Sequence, residues 1–550
     1  MTWGRGRGLV PSRPMKLSLP PRTVRDVLVT ATLAACLAAC SVSVKQAATT
    51  TSTAGSTAPA TSSPTTTDGS RAGTSTVAWH DCGGGFQCVT HTVPLDWFHP
   101  GAGTISLALI RRPAGDPSRR VGSLFFNPGG PGEPGVGFLR DLAGTDSTLP
   151  KTLTDRFDLV SWDPRGTGDS AGIRCIPASE QEQAALDPTP NDAAAVAALQ
   201  KLETTDVARC ITQDGKVIPY VGTRETARDL DALRAAVGDA KLHYVGYSYG
   251  TEIGEQYLRD FPTHVGAMVL DGVVVPGEDP ITSGHDQIKS FEADLDAFLA
   301  DCAARPSCTF GNGNPKAALQ ALLAKLESGV RLPADYTSQD DSGKSHTRTG
   351  SLGIGEAITG IITPLYSKDD WPALEKALTQ ATSKTDPNGY LLLSFRDSLQ
   401  GRDRDGTWSH LPDAFEAIGC ADQPQRATSV LGSKALIAAW GKEMPFLGAT
   451  QATGSPGCYR WPAAKYPVSK PTRGDFAKAP PMVFVNSTQD PATPYAQAQQ
   501  MQSLVPGSRL VTWESADHTS FGRGHACIDD PVTAYLVSGT LPPAGLHCKP

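Results

Sequence analysis

Seven short apolar runs constrain this chain more than any other feature. They are TISLALI (104–110), GSLFFN (122–127), FDLVSWD (157–163), LHYVGYS (242–248), GAMVLDG (266–272), PMVFVNS (481–487) and SRLVTWE (508–514). Each has the length of a strand and is apolar at successive positions, so both of its faces need cover. Between many of them lie helical patterns, such as TRETARDLDALRAAVG (223–238), in which Leu230, Leu233 and Val237 share one face. Alternating buried strands and helices imply an α/β fold: a mostly parallel sheet with helices on both faces. The runs fall into two blocks, and the stretch of roughly 200 residues between them lacks that rhythm and reads as helices with loops. The economical reading is one α/β domain in two core segments, 77–275 and 471–550, interrupted by a helical cap insertion at 276–470. A chain of 550 residues has room for both.

The first 76 residues belong to neither segment. Arginines and a lysine precede VLVTATLAACLAACSVS (27–43), an apolar run too short to span a bilayer comfortably and ending in small residues. This reads as an export signal over 1–39. Leu37-Ala38-Ala39-Cys40 has the form of a bacterial lipobox, with Cys40 as the lipid-modified residue. Leu33-Ala34-Ala35-Cys36 fits by letters, but Cys40 gives the longer apolar stretch and abuts the polar tail. Met15 also begins a conventional signal. From 40 to 76 the chain is almost all Thr, Ser, Ala, Pro and Gly, which cannot bury a core and makes a flexible tether. Losing 1–39 removes six basic residues and one acidic one, taking the formal charge from −7 to −12. No basic cluster remains, which argues against a nucleic-acid partner. The expected membrane contact is the lipid alone, and the expected state is a monomer.

Ten cysteines lie in the globular part, from Cys82 to Cys548, an even number in an exported chain, and this argues for disulfides. No Cys-x-x-Cys pair occurs, so zinc and redox motifs are poor alternatives. Pairing in sequence order would give five local loops; composition alone leaves the connectivity open.

Two Gly-x-Ser-x-Gly matches compete for a nucleophile. Ser248, in GYSYG, stands between the strand LHYVG and the helix YGTEIGEQYLRDF, the strand–turn–helix setting of a nucleophile elbow. Ser170, in GDSAG, lies seven residues beyond its strand and leads into no helix. Context selects Ser248. A serine hydroxyl needs a base and an orienting acid. In the order Ser, Asp, His, the residues just past the later strands are Asp490 and His518. Asp271 also follows a strand and is the rival acid. His525 and His547 lie beside Cys527 and Cys548 in the tail. Asp517 reads as a loop residue, and His243 as a core histidine within a strand. The oxyanion hole needs two backbone N–H donors. Tyr249, next after the nucleophile, supplies one, and Gly130 in FFNPGGPGEPG supplies the other.

NPGGPG, FDLVSWDPRGTGDS, GYSYGT, FPTHVGAMVLDG, STQDPATPYAQA and CIDDPVTAYLVSGTLPPAGLHC together resemble the secreted actinobacterial tripeptidyl-aminopeptidase-type α/β-hydrolases, relatives of prolyl iminopeptidases. The resemblance runs from Cys82 to near the end. It implies an α/β-hydrolase fold and places nucleophile, acid and base on Ser248, Asp490 and His518. Two departures stand out. Pro128 occupies the place of the clan's usual histidine, and the base is framed as ADHTSFGRGH, so His525 offers a second alignment. The implied activity is release of short peptides from a free N-terminus, with no metal or organic cofactor. An exopeptidase of that kind must hold the substrate's α-ammonium, and Glu416 and Asp422 of the cap segment FEAIGCADQP are the carboxylates expected to do so. Two competing readings share the sequence: a carboxylesterase acting on cell-envelope esters, and a non-catalytic surface lipoprotein with a vestigial site. Fold and triad do not separate them, because specificity lives in the cap.

Overall fold

The computed structural model describes residues 77–145, 147–177, 193–340, 342–424, 432–454 and 458–550. The export signal, Cys36, Cys40 and the tether lie outside these residues. A single ten-stranded sheet organises the fold. Its strands are β1 (His80–Asp81), β2 (Gln87–Pro94), β3 (Thr104–Arg112), β4 (Gly122–Asn127), β5 (Phe157–Trp162), β6 (Leu242–Tyr247), β7 (Val265–Asp271), β8 (Val483–Ser487), β9 (Arg509–Trp513) and β10 (His547–Cys548). They lie side by side as β1-β2-β3-β5-β4-β6-β7-β8-β9-β10. The first three strands and the β3–β5 pair are antiparallel, and every pairing from β5 to β10 is parallel.

Side-chain alternation explains why the parallel strands read as continuous apolar runs. In β4, Phe125 enters one core layer while Leu124 and Phe126 enter the layer on the opposite face. Helices α1 (Gly135–Leu142) and α8 (Ala526–Ser538) cover the Phe126 side, through Phe138, Leu139, Ile528 and Val532. On the Phe125 side lie α3 (Thr223–Ala236), α4 (Gly250–Asp260) and α7 (Tyr495–Leu504), through Leu230, Leu233, Ile253, Ala498 and Met501. A further helix, α2 (Ala193–Asp214), precedes α3.

The insertion lies between β7 and β8. Its long helix α5 (Pro280–Ala304) sends Phe291, Leu295 and Phe298 into a separate apolar core with Ile358, Leu374 and Leu392. Helix α6 (Leu411–Asp422) joins the main core instead, through Ala414, Ala417 and Ile418. Two small antiparallel pairs in the cap were not legible beforehand: Tyr336–Gln339 with Ser345–Arg348, and Leu332–Pro333 with Ser351–Leu352. The first pair is largely exposed and the second is only two residues long on each strand, so neither leaves an apolar run. Five disulfides form in sequence order: Cys82–Cys88, Cys175–Cys210, Cys302–Cys308, Cys420–Cys458 and Cys527–Cys548. Among the described residues no helix is long and apolar enough to cross a membrane.

The strand order reverses at β4. The next strand, β5, lies on one side of it and β6 on the other, with Asn127 paired to Gly246. The crevice beyond the carboxyl ends of such strands is where open α/β sheets bind ligands. The GG turn leaves β4 there, and the GYSYG turn leaves β6 beside it.

Candidate active site

Ser248 sits between β6 and α4 with φ of 53°, in the left-handed region that a non-glycine residue seldom occupies. That is the backbone that a nucleophile elbow requires. Two backbone bonds hold it: Ser248 N–H donates to the Asp271 carbonyl at 2.9 Å, and Thr251 N–H donates to the Ser248 carbonyl at 2.8 Å. The flanking glycines answer to close approach. A methyl at Gly246 would lie 2.4 Å from the Gly250 carbonyl oxygen, and one at Gly250 would lie 2.8 Å from Asn127 Oδ1. Ser170 has another task. It is fully buried, and its hydroxyl oxygen accepts the Ala108 N–H at 2.8 Å, within the framework of its loop.

Asp490 follows β8 and His518 follows β9. His518 Nδ1 lies 2.9 Å from Asp490 Oδ1 and 3.1 Å from Oδ2. The N–H groups of Ala492 and Thr493 donate to Oδ1 at 3.0 and 2.8 Å, and the Thr493 hydroxyl donates to Oδ2 at 2.9 Å. A carboxylate at Nδ1 fixes the proton there and leaves Nε2 as the free base. The cap reaches the same residue: His518 N–H donates to the Tyr366 carbonyl at 2.9 Å, and the Tyr366 ring stands edge-on to the imidazole at 5.6 Å.

The rivals fall into structural places. Asp271 Oδ2 accepts the Ser520 and Phe521 N–H groups, each at 2.7 Å. Burial pushes the Asp271 carboxyl up to about 7, against the pull of those two bonds. His525 packs its ring 4.4 Å from that of Trp513, and His547 lies 3.1 Å from Glu514. Asp517 accepts from Trp513 Nε1, Ser515 Oγ and the Lys368 N–H. Burial pushes His243 down to about 4 beside Phe157.

The GG turn lies against the elbow, since a methyl at Gly129 would come within 3.0 Å of the Tyr249 nitrogen. Gly129 spends its own N–H on Asn127 Oδ1 at 3.0 Å. The Gly130 and Tyr249 N–H groups have no acceptor among the described residues. On its other side the turn meets the cap: a methyl at Gly132 would lie 2.9 Å from both Ala414 Cβ and the Phe415 nitrogen in α6. Asp413 anchors that helix by accepting the Cys175 and Ile176 N–H groups at 2.7 and 3.0 Å.

Residues 444–548 match a family model described as TAP-like protein. The chain is 36% identical to serine protease Hip1 of Mycobacterium tuberculosis over 489 residues, which cover 84% of this chain and 88% of that protein. The chain belongs to the TAP-like α/β-hydrolase family. Other relatives are carboxylesterase B of M. tuberculosis, 35% identical over 84% of this chain and 86% of its own, and tripeptidyl aminopeptidase of Streptomyces lividans, 31% identical over 88% of each. It is a serine hydrolase.

Three carboxyls of this TAP-like hydrolase, two beside the elbow and one on α6, have a raised affinity for protons, each first by loss of solvent. Glu133, directly after the GG turn, is pushed well above the ordinary carboxylate range, and the charges of Asp141, Asp163 and Asp403 add to the effect. Glu252, one helical turn after Ser248, is pushed up to about 8 by burial and by Asp422. Glu416 on α6 is likewise pushed up to about 8, by burial and then by the charge of Glu203. Its side chain is exposed on α6. Among the described residues no Lys or Arg forms an ion pair with any of the three.

The expectation for Asp422 is corrected. It is 6% exposed, and its two oxygens accept the N–H and the hydroxyl of Thr223, each at 2.7 Å. A carboxylate spent on the first turn of α3 caps a helix rather than meeting a substrate amine. The Thr223 hydroxyl also lies 2.6 Å from the Tyr249 phenol, so Asp422 supports the residue after the nucleophile. Glu133 and Glu252 escaped the sequence reading, although each had a signal: one follows GGPG directly, and the other stands four residues after Ser248.

Proposed function

We propose that this serine hydrolase is an exopeptidase that removes short peptides from a free N-terminus. Ser248 Oγ attacks the scissile carbonyl, and His518 Nε2 takes its proton and returns it to the leaving amine. Asp490 orients the imidazole, while the Gly130 and Tyr249 N–H groups receive the oxyanion. The observation that carries the peptidase reading is a set of carboxyls with no ion-pair partner among the described residues, Glu133 and Glu252 beside the elbow and Glu416 on the cap helix that meets the GG turn. Desolvated acids of that kind bind a cation strongly when one arrives, because their neighbours give them none. Glu416, the most accessible of the three, is our ammonium ligand. The relatives named serine protease and tripeptidyl aminopeptidase support the same reading. The relative named carboxylesterase B keeps an esterase as the second reading. Five disulfides support an exported enzyme, and the lipobox supports a lipid anchor at Cys40 with the tether holding the catalytic body off the membrane.

The test compares a chromogenic tripeptide amide bearing a free amine with its N-acetylated twin, on protein beginning near Thr74. The expected result is cleavage of the free form alone, releasing the intact tripeptide. Equal cleavage of both would mean an open cleft and no amine site. Cleavage of neither, with Ser248 still taking up a fluorophosphonate, would move the assignment to esters.

A further inference from the structure

Asp271 has no part in the reaction described above, yet it touches both sides of it. Its carbonyl accepts the Ser248 N–H at 2.9 Å, at the strained residue of the elbow. Its carboxylate Oδ2 accepts the N–H groups of Ser520 and Phe521, each at 2.7 Å, on the loop that presents His518. Oδ1 is buried without a partner, so the whole grip on that loop passes through one oxygen. The next residue, Gly272, donates its N–H to the Val485 carbonyl at 3.0 Å on the strand that leads to Asp490. A methyl at Gly272 would lie 3.0 Å from His518 Cε1 and 3.2 Å from the Thr493 hydroxyl. The end of β7 is therefore the surface against which nucleophile, acid and base are all located.

We propose that Asp271 is the positioning residue that sets the separation of Ser248 and His518, its main chain gripping the elbow and its carboxylate gripping the base's loop. The proposal rests on the triad reading of Ser248 and His518. Asp271 meets neither substrate nor the reacting atoms, so its action is on alignment. A displacement of about 1 Å between reacting groups costs on the order of 10²-fold in rate. Two buried N–H groups left without an acceptor supply the reason for the loop to move.

The experiment measures kcat and KM of Asp271→Ala, Asp271→Asn and Asp271→Glu on the chromogenic tripeptide amide, with sites counted by fluorophosphonate titration. Asp271→Ala is expected to lose about 10²-fold in kcat per labelled site, with KM within about threefold of the parent. Asp271→Asn keeps an acceptor oxygen in place and is expected to recover most of that loss. A merely structural role would lower the number of labelled sites and leave kcat per site at the parent value, which overturns the proposal. So would an Asp271→Asn variant as slow as Asp271→Ala. If Asp271→Ala does not fold, Asp271→Glu decides: it keeps the charge but sets the oxygen one methylene farther out. Parent-like kcat in that variant overturns the proposal, and a loss of at least about tenfold at unchanged KM supports it. Activity surviving Ser248→Ala would remove the triad reading and this proposal with it. Loss in Ser248→Ala beside parent-like Asp271 variants would remove this proposal alone.

Discussion

Asp490 and Glu416 are both carboxylates at this site, and the protein surrounds them differently. Asp490 is met by the Ala492 and Thr493 N–H groups, the Thr493 hydroxyl and the His518 ring. Glu416, exposed on α6, has Glu203, Asp206 and Asp413 about it, which raise its affinity for protons against the pull of Trp461. The first arrangement fixes a geometry before substrate arrives, which is what orientation of a base requires. The second, on the proposed reading, leaves an electrostatic need unmet until a substrate cation arrives. On that reading the loops at the strand ends serve alignment and Glu416, at the rim, serves discrimination.

Four measurements press on that division. The largest effect belongs to the floor: Ser248→Ala or His518→Ala should lower kcat by about 10⁵-fold or more. Asp490→Asn should cost about 10⁴-fold by presenting the wrong tautomer. Activity above these levels on a free-amine tripeptide amide would place the nucleophile elsewhere. Next comes the fastening of α6. Replacing Cys420 and Cys458 by serine opens a loop of sequence separation 38, and on chain-entropy grounds should cost about 4 kcal/mol of stability in urea titrations. The effect on kcat at low temperature should be under about threefold, since Asp413 and the Gly132 contact still hold the helix.

Glu416→Gln should raise KM for free-amine substrates about 10- to 100-fold, the worth of a bond to a charged group, with kcat kept. The N-acetylated twin should not notice. If both substrates suffer equally, rim and floor are not separate. The smallest effect is in pH. Glu416 must be ionised to hold an ammonium, so kcat/KM for free-amine substrates should rise as pH passes through about 8. It should fall again as the substrate's own amine, with a pKa of about 7.7–8.0, loses its proton. Stability should move the other way. Glu252 and Glu416 hold protons in the folded state that the unfolded chain releases near its ordinary value, so the folded state is favoured at low pH. The melting temperature should therefore decline between about pH 5 and 8. A profile that is flat over this range would show that the rim acids are ordinary carboxylates.

The signals for the proposed triad are local. A strand, a tight turn and a helix in direct succession locate Ser248, and strand ends locate Asp490 and His518. The rim was read less well, because its signals are tertiary. Asp422 stands two residues from Cys420 on a cap segment, and nothing in that spacing shows that it faces the first turn of α3. Nothing in the spacing of Glu252 shows that Asp422 of α6 acts on it. Asp271 was legible as an acid at a strand end, but not as the holder of the base's loop, since Ser520 and Phe521 lie some 250 residues away. The small cap sheets left no mark because strands this short and exposed need no apolar pattern.

The bond from the His518 N–H to the Tyr366 carbonyl carries a consequence for transplantation. A cap is commonly regarded as an exchangeable module that sets what a hydrolase accepts and leaves the chemistry to the scaffold. Here the insertion contributes main chain to the bed of His518, so a hybrid enzyme inherits the posture of the proposed proton acceptor from whichever insertion it carries. Exchanges confined to side chains of α6 should retune selectivity alone. Those that replace the turn at Thr363–Tyr366 will retune turnover as well.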